Sequence, residues 1–414
     1  MKKFTIVAMF VAMGLSLNAQ TEIITHLMHV WKNGKTIDFV IENEIDSITF
    51  SEAVHSTDTD LQTQEGDTTK LWPASNGEGW GYIDAKGNMV IPAMYDAVEF
   101  FSCGFARVVM GDDLKFINKK GAMQTTPSFD AAAAFYYNHS VVEVYDYYGM
   151  MNNKFEVTVQ PYFAALETMG DNGLVAAKRY NDSKWEYVNA KGETKIAAMY
   201  DYAGWFQDSV AVVTMGSKQG AINKSGEFTI QPTYEYGLWN MGKGLLGYFD
   251  KNDKAGVLDK NGNVVVYPIY DNLGNVSDGL ILAVNNKEKY GYINTKGEVV
   301  ISEMYCAAYS FYEGQAWVKQ TEEGAWMSID KKNSVVFYLA KGEYPVTGFH
   351  NGLALVRTEN GYKYVNTKGA LVYSWTYDDD GWYAPKKAQR EQMSFRERME
   401  EFNNMTLHFD SHKL

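Results

Sequence analysis

Five acidic residues recur in one setting. Asp96, Asp130, Asp201, Glu235 and Asp271 each stand directly after an aromatic residue, as Tyr95-Asp96, Phe129-Asp130, Tyr200-Asp201, Tyr234-Glu235 and Tyr270-Asp271. Carboxylates repeated along one edge of a fold could hold cations or a basic peptide. Two of them, held roughly 5 to 9.5 Å apart, could hydrolyse a glycosidic bond, one as acid and the other as base or nucleophile. Equivalent residues in neighbouring repeats more often serve the fold, here by accepting hydrogen bonds from the backbone of a turn. Turn capping is therefore the expectation, and the five acids together form the candidate binding surface.

Other chemistry is sparse. His26, His29, His55, His139, His350, His408 and His412 make no metalloprotease or zinc-finger spacing, and His408 and His412, four apart, lie in a segment that reads as strand and tail. There is no nucleophile elbow, phosphate loop or dinucleotide fingerprint. Asp58, Asp60, Glu65 and Asp67, and the run Asp378-Asp379-Asp380-Gly381, lack the full register of a calcium loop and read as solvated loops. Trp205, Trp239, Trp317 and Trp375 could stack on sugars, but their places in the repeat are those where a core needs bulk. Cys103 and Cys306 occupy non-equivalent repeat positions and are expected to be free, buried thiols. No cofactor, no metal and no catalytic residue is expected.

The acids are positioned by a repeat. Gly87, Gly121, Gly192, Gly226, Gly262, Gly297 and Gly369, with Asn333 standing in once, return every 34 to 36 residues except across one gap of 71. Tyr148-Gly149 and Gln160-Pro161-Tyr162 mark a worn copy inside that gap, giving nine units. Each glycine closes a hairpin opened by Asp or Asn (Asp84, Asn118, Asn189, Asn223, Asp259, Asn294, Asp330, Asn366), whose side chain can bond the backbone ahead. A returning strand follows, then the aromatic-acid pair introducing a third strand, then a fourth such as Phe105-Ala106-Arg107-Val108. Runs like Leu280-Ile281-Leu282, apolar on consecutive residues, require burial on both faces, as in units packed between neighbours. The 29 Tyr, 21 Phe and 10 Trp against 8 Pro suit such pleated, half-buried surfaces.

Trp80-Gly81-Tyr82-Ile83-Asp84, Tyr290-Gly291-Tyr292-Ile293-Asn294 and the Lys-Gly turns after them resemble the WG-repeat family over about residues 70–378. Gln219-Gly220 and Ala255-Gly256 keep only the glycine, while Glu186, Trp326 and Lys363 replace it. The resemblance implies an all-β array that offers a non-catalytic interaction surface. The expected fold is about nine four-stranded units over 70–383 in an open, twisted stack, with a closed, propeller-like ring as the alternative because nine exceeds the usual four to eight blades. The ninth unit lacks a fourth strand, and Lys70-Leu71-Trp72 sits where one would be before the first, which is how rings share a blade between their termini.

The flanks differ from the array. Met1–Ala19, with Lys2 and Lys3 ahead of a short apolar run, reads as a cleaved export signal rather than a membrane span. Residues 20–51 form a small β-hairpin module around Asn33-Gly34, with a further short strand at Ser47–Phe50, and 52–69 a polar linker. In 384–414 a capping box at Ser394-Phe395-Arg396-Glu397 and the shared face of Phe395, Met399 and Phe402 predict a C-terminal helix. The formal net charge of −13 speaks against nucleic acid and anionic membrane surfaces. The expected function is that of an exported scaffold binding a protein partner at the cell envelope of a Bacteroidota-like cell, with glycan binding or a carboxylate-dependent hydrolase as alternatives.

Overall fold

The computed structural model describes residues 26–32, 35–41 and 70–376, apart from Asp112 and Tyr236. The chain divides into two units, Met1–Thr59 and Asp60–Leu414. In the first, His26–Lys32 pairs antiparallel with Lys35–Ile41, and Lys32 stands opposite Lys35. That register leaves a two-residue connection at Asn33 and Gly34, the length an Asn-Gly turn favours. The export signal, the Ser47–Phe50 strand, the linker and the C-terminal helix lie outside the described residues.

Among the described residues the second unit is antiparallel β-structure in eight sheets of three to seven strands, none closed on itself. They are cut from the repeat at an unexpected point. Four begin immediately after the aromatic-acid pair, with an opening strand such as Ala97–Val98 or Tyr202–Ala203, and the seventh begins with Ala307–Ala308 after Tyr305-Cys306. Such a sheet continues through the expected fourth strand into the hairpin of the next sequence unit, as in the fourth sheet, Tyr202–Ala203, Val210–Met215, Lys218–Asn223 and Phe228–Tyr234. One sheet is thus made from halves of two sequence repeats. The seven-stranded third sheet shows why: there Val157–Leu166 runs straight on, pairing with Tyr147–Asn152 at one end and Leu174–Arg179 at the other. Elsewhere the same strand is creased, and its two ends belong to different sheets.

The crease follows a bulge. In the sixth sheet Tyr290 pairs with Tyr305 and Tyr292 with Ile301, so two steps on one strand face four on the other. The surplus residues push the Ile301 carbonyl against Gly291, where a Cβ would lie 2.6 Å from it. Gly149 and Gly220 meet Val159 and Ile230 carbonyls in the same way, at 2.5 and 2.6 Å. The glycine is kept because backbone occupies the space a side chain would need. Proline is tolerated in the bulge, as Pro161 and Pro232, because no ladder amide is lost. Where Met327 and Lys363 hold the glycine place, opposite Tyr338 and Ser374, the pairing beside them runs without that jump. Trp326 therefore occupies the tryptophan place and not, as expected, the glycine's. Glu186 is the exception: its strand keeps the bulge, and its carboxylate is bonded by Arg179 and Thr194.

The hairpins behave as the spacing predicts. Asp84 Oδ1 accepts the amides of Lys86 and Asn88 at 2.8 and 2.9 Å, and the other openers repeat the pair of bonds. Asn152 belongs to the set too, bonding the amides of Lys154 and Glu156. In that worn copy Phe155 takes the glycine place at φ 61°, a conformation a bulky side chain adopts only when held there. Its ring packs on Phe105, Phe116 and Phe135 at centroid distances of 4.9, 5.5 and 5.5 Å.

Consecutive sheets share buried clusters. Tyr187 of the third sheet packs with Ala203, Phe206 and Val213 of the fourth, and Tyr292 of the sixth with Phe311 and Val318 of the seventh. The tyrosine hydroxyls cross the same boundaries: Tyr82 donates to Glu99 O at 2.6 Å, Tyr187 to Gly204 O at 2.8 Å and Tyr292 to Tyr309 O at 2.7 Å, each bond contributing about 0.5–1.5 kcal/mol net. A buried Arg107 joins the second sheet to the third, gripping Glu99 with two guanidinium nitrogens and donating to the Ala132 carbonyl.

The first and last sheets meet in the same way. Trp72, Ala74 and Ile83 share a cluster with Leu353, Tyr364 and Trp375. Tyr364 Oη donates to Pro73 O at 2.9 Å, Tyr373 Oη to Ser75 O at 3.1 Å and Trp72 Nε1 to His350 O at 2.8 Å. The ends of the array are therefore in contact, which corrects the open stack in favour of its closed alternative. The physical reason is that both ends carry apolar faces, and each covers the other.

The bulge makes a direct expectation. Gly291→Ala places a methyl group on a backbone carbonyl that cannot move without breaking the ladder, and should cost about 1–3 kcal/mol, read as a lowered melting temperature. Gly279→Ala, at an open turn with nothing within 4 Å of the new Cβ, should act through its positive φ alone. Equal effects at the two sites, or none at Gly291, would contradict the steric account.

Candidate functional site

The five acids stand at the creases, one beside each sheet boundary they mark. Asp96 Oδ2 accepts from Gly111 N at 2.6 Å, Asp130 Oδ2 from Tyr145 N at 2.7 Å and Asp201 Oδ2 from Gly216 N at 2.7 Å. In each case the donor lies fifteen residues on, in the tight turn that follows the expected fourth strand. The acids' own amides bond the same strand, Asp96 to Val109 O, Asp201 to Thr214 O and Asp271 to Val284 O. Lys184 Nζ lies 2.6 Å from Asp201 Oδ1, and Lys254 pairs with Asp271. The Lys184 bond, then the Gly216 amide, hold the Asp201 carboxyl below the usual carboxylate range. Glu235 is exposed. The geometry of Asp96, Asp130 and Asp201 is that of turn caps, and none of these bonds brings two members of the row together.

Sequence reasoning missed a second set of acids that does join neighbouring sheets. Asp278 Oδ2 accepts from Gly314 N at 2.5 Å, thirty-six residues on. Both Glu313 oxygens take amides of the next tip, Asn351 N at 2.6 Å and Gly352 N at 2.7 Å. Asp171 receives the Asp208 amide likewise. The signal available was an acid directly before glycine, Asp278-Gly279 and Glu313-Gly314, in equivalent turns.

The other candidates scatter. Trp317 and Trp375 are buried, Trp239 is half-buried against Phe249, and Trp205 is exposed. Cys103 and Cys306 are free and half-buried. His139 Nδ1 lies 2.9 Å from Tyr137 O, and burial lowers its pKa. Among the described residues no group of His, Cys, Asp and Glu could hold a metal ion, and no helix is long and apolar enough to cross a membrane. One open groove of about 580 Å³ lies along the last sheet, lined by Tyr362, Tyr373, Trp375 and Lys363 and reaching Asn76 of the first. Trp375 presents little surface to it, since Tyr362, Tyr373 and Trp80 pack around its ring.

The exposed surface is apolar where the sheets end. The returning strands carry Val90 and Met94 in the first sheet, Tyr267 and Ile269 in the fifth, Val299 and Met304 in the sixth, and Tyr338 in the seventh, all exposed. Tyr267 and Ile269 are the most open of these, at 74% and 65%.

Comparison with known proteins agrees on the repeat. The family described as WG containing repeat matches residues 80–112, 187–218, 256–289 and 290–322. No curated protein matches the chain. Among solved structures, the chain is similar to BamB from Moraxella catarrhalis, at 12% identity over 61% of this chain and 87% of that one, TM-score 0.34. It is also similar to AztD from Citrobacter koseri, at 11% identity over 74% and 94%, TM-score 0.34, and to Hsv2 from Kluyveromyces lactis, at 8% identity over 66% and 94%, TM-score 0.34.

The cap geometry fixes a pH dependence. A carboxyl whose folded pKa is depressed adds stability above its unfolded value, near 3.9, and loses it as pH falls through the folded value. Asp201→Asn should therefore lower the melting temperature at pH 6, and the difference from the parent should shrink as pH falls below the unfolded value and through the folded one. A constant difference across that range would remove the charge from the account.

Proposed function

The chain belongs to the WG-containing repeat family, and from that premise we propose that it is an exported, non-catalytic scaffold of nine repeat units that captures a protein partner at the cell envelope. One observation carries the reading: the returning strands leave large apolar side chains exposed in sheet after sheet, while Asp96, Asp130 and Asp201 of the recurring acids are bonded to turn amides. Asp96, Asp130 and Asp201 accept turn amides, and the hydroxyls of Tyr82, Tyr187 and Tyr292 tie sheets together. Exposed apolar groups in equivalent places, flanked by polar turns, are what a protein interface uses. The acidic balance supports a protein over nucleic acid. Export rests on the two lysines and the short apolar run that open the chain.

The test is capture from envelope extracts by the immobilised mature protein. Tyr267→Ser with Ile269→Ser should abolish capture and leave the melting temperature unchanged, because both side chains are exposed. Capture undiminished by the double change would remove this surface from the reading. Binding on a glycan array in place of protein capture would favour the glycan alternative. Turnover of an envelope glycan or peptide lost on Asp201→Asn with Asp271→Asn would favour the hydrolase. Mass spectrometry of the mature protein should find Gln20 at the N-terminus, and Met1 on a cytoplasmic product would end the envelope assignment.

A further inference from the structure

Every described hairpin of the array carries a lysine at its tip. Lys86, Lys120, Lys191, Lys296, Lys332 and Lys368 stand directly before the glycine place, and all are exposed. Lys154 does so in the worn copy. Where Ser225 and Asn261 take that place, Lys224 and Lys260 stand one residue earlier, exposed as well. The turn itself does not ask for lysine, because the Ser225 and Asn261 amides make the same bond to the opener that the Lys86 amide makes.

The hairpins are set on one rim, because each rests on the unit before it. A Cβ on Gly121 would lie 3.2 Å from Ile91, on Gly226 2.9 Å from Ile196, on Gly262 3.3 Å from Ile230 and on Gly297 2.8 Å from Val266. Gly192 and Gly369 meet Val159 and Phe337 likewise, Phe155 packs on Phe105 and Phe116, and Asn333 accepts the Tyr305 hydroxyl. Gly87 lies against the Val372 backbone, so the collar continues across the seam.

The acids stand apart from this rim or are engaged within it. The crease acids lie at the far end of returning strands such as Phe228–Tyr234, which hold the two ends roughly 20 Å apart. Charges are screened over about 8 Å at physiological salt, so the formal net charge of −13 is not what a surface facing the lysines meets. In the hairpins Glu156, Glu193, Glu227 and Glu298 accept the side-chain amides of Asn152, Asn189, Asn223 and Asn294. Asp278, which Lys331 reaches, and Glu313 accept backbone amides.

We propose that the lysine rim seats the ring on an anionic lipid surface. The repetition favours lipid over protein. Ammonium groups at equivalent points all round a rim call for a partner that offers the same group at every point, as a layer of phosphate headgroups does, whereas the acids of a folded protein are placed singly. Lysine suits that partner, being a compact charge on a flexible stem that can follow a phosphate. Two places past the glycine, Met123, Val264, Val299, Val335 and Leu371 are exposed, and they supply apolar groups at the level where headgroups meet acyl chains. The seat uses neither Tyr267 nor Ile269, so it stands or falls apart from the capture of a protein partner.

Co-sedimentation of the full-length chain with phosphatidylglycerol vesicles tests this, with phosphatidylcholine vesicles as the neutral control. The chain should sediment with the first and not the second, and added salt should release it. Lys296→Gln, Lys332→Gln and Lys368→Gln together should weaken binding roughly a hundredfold, about fivefold for each lysine. The same charge removed beside the creases, by Lys218→Gln, Lys251→Gln and Lys287→Gln, should leave binding nearly unchanged. All six side chains are exposed, so both variants should melt like the parent. Both also keep the apolar run at the N-terminus, so the difference between them reads the rim alone. Equal losses in the two variants would reduce the attraction to bulk charge and overturn the proposal. So would a parent that stays in solution with phosphatidylglycerol vesicles. If the rim variant then lost capture of protein from envelope extracts, the rim would belong to an acidic protein instead.

Discussion

A backbone carbonyl pressed against a glycine is the contact on which the array depends. The bulge opposite Gly291 and its equivalents puts more residues on the returning strand than its partner can match. Opposite Gly220 and Gly291 that strand leaves one sheet and the chain opens the next, whereas opposite Gly149 the bulged Val157–Leu166 strand runs on within a single sheet. Everything else in the junction follows: the acid after the crease meets the next turn, the opening strand finds a partner one residue later, and the tyrosine beside the glycine faces the new sheet. A side chain in place of the glycine meets the bulged strand's backbone, and among the described residues Glu186 is the one place where the bulge is kept with a side chain there. The places with Met327 and Lys363 show the converse, a strand paired beside them without that jump.

The junctions divide labour between apolar and polar contacts. Aromatic rings from consecutive sheets pack into shared clusters, and the hydroxyls of Tyr82, Tyr187 and Tyr292 find carbonyls across the boundary. The cost of drying those hydroxyls appears in the tyrosines, whose pKa values burial pushes well up at Tyr82 and Tyr292. Carboxylates serve where turns expose several amides at once, as Glu313 does for two. Arg107 and Glu99 are the costlier device, a buried ion pair whose separation would leave a charge without a partner.

Much of this was legible in residue types. The hairpins could be read from Asp or Asn followed by Gly because the mechanism is local, an acceptor on the side chain and a positive φ three residues later. The turn-capping role expected of the acid row was readable for the same reason at Asp96, Asp130 and Asp201. The division into sheets was not, since Tyr200-Asp201-Tyr202 looks the same whether the chain bends there or continues, and the uncreased Val157–Leu166 strand shows that both occur. Phe155 at a glycine place gives no signal in sequence, because three aromatic rings distant in the chain hold it there. Closure was only half legible, in the fourth strand missing from the ninth unit and Lys70-Leu71-Trp72 placed where one would be. Nine units argue against a ring by precedent, and only the contacts of Trp72 and Tyr364 show the ends together.

That meeting of the ends changes the order in which the molecule can assemble. Every junction but one joins segments a few tens of residues apart, so each sheet can settle on its predecessor as soon as it exists. The contacts of Trp72 with His350 and Tyr373 with Ser75 span 278 and 298 residues. Loop closure over such a distance comes late and slowly. Until it happens, both terminal sheets present their aromatic faces to water, and to any second copy in the same state. The seam is thus the last part to form and the interval before it the one most exposed to exchange of sheets between chains.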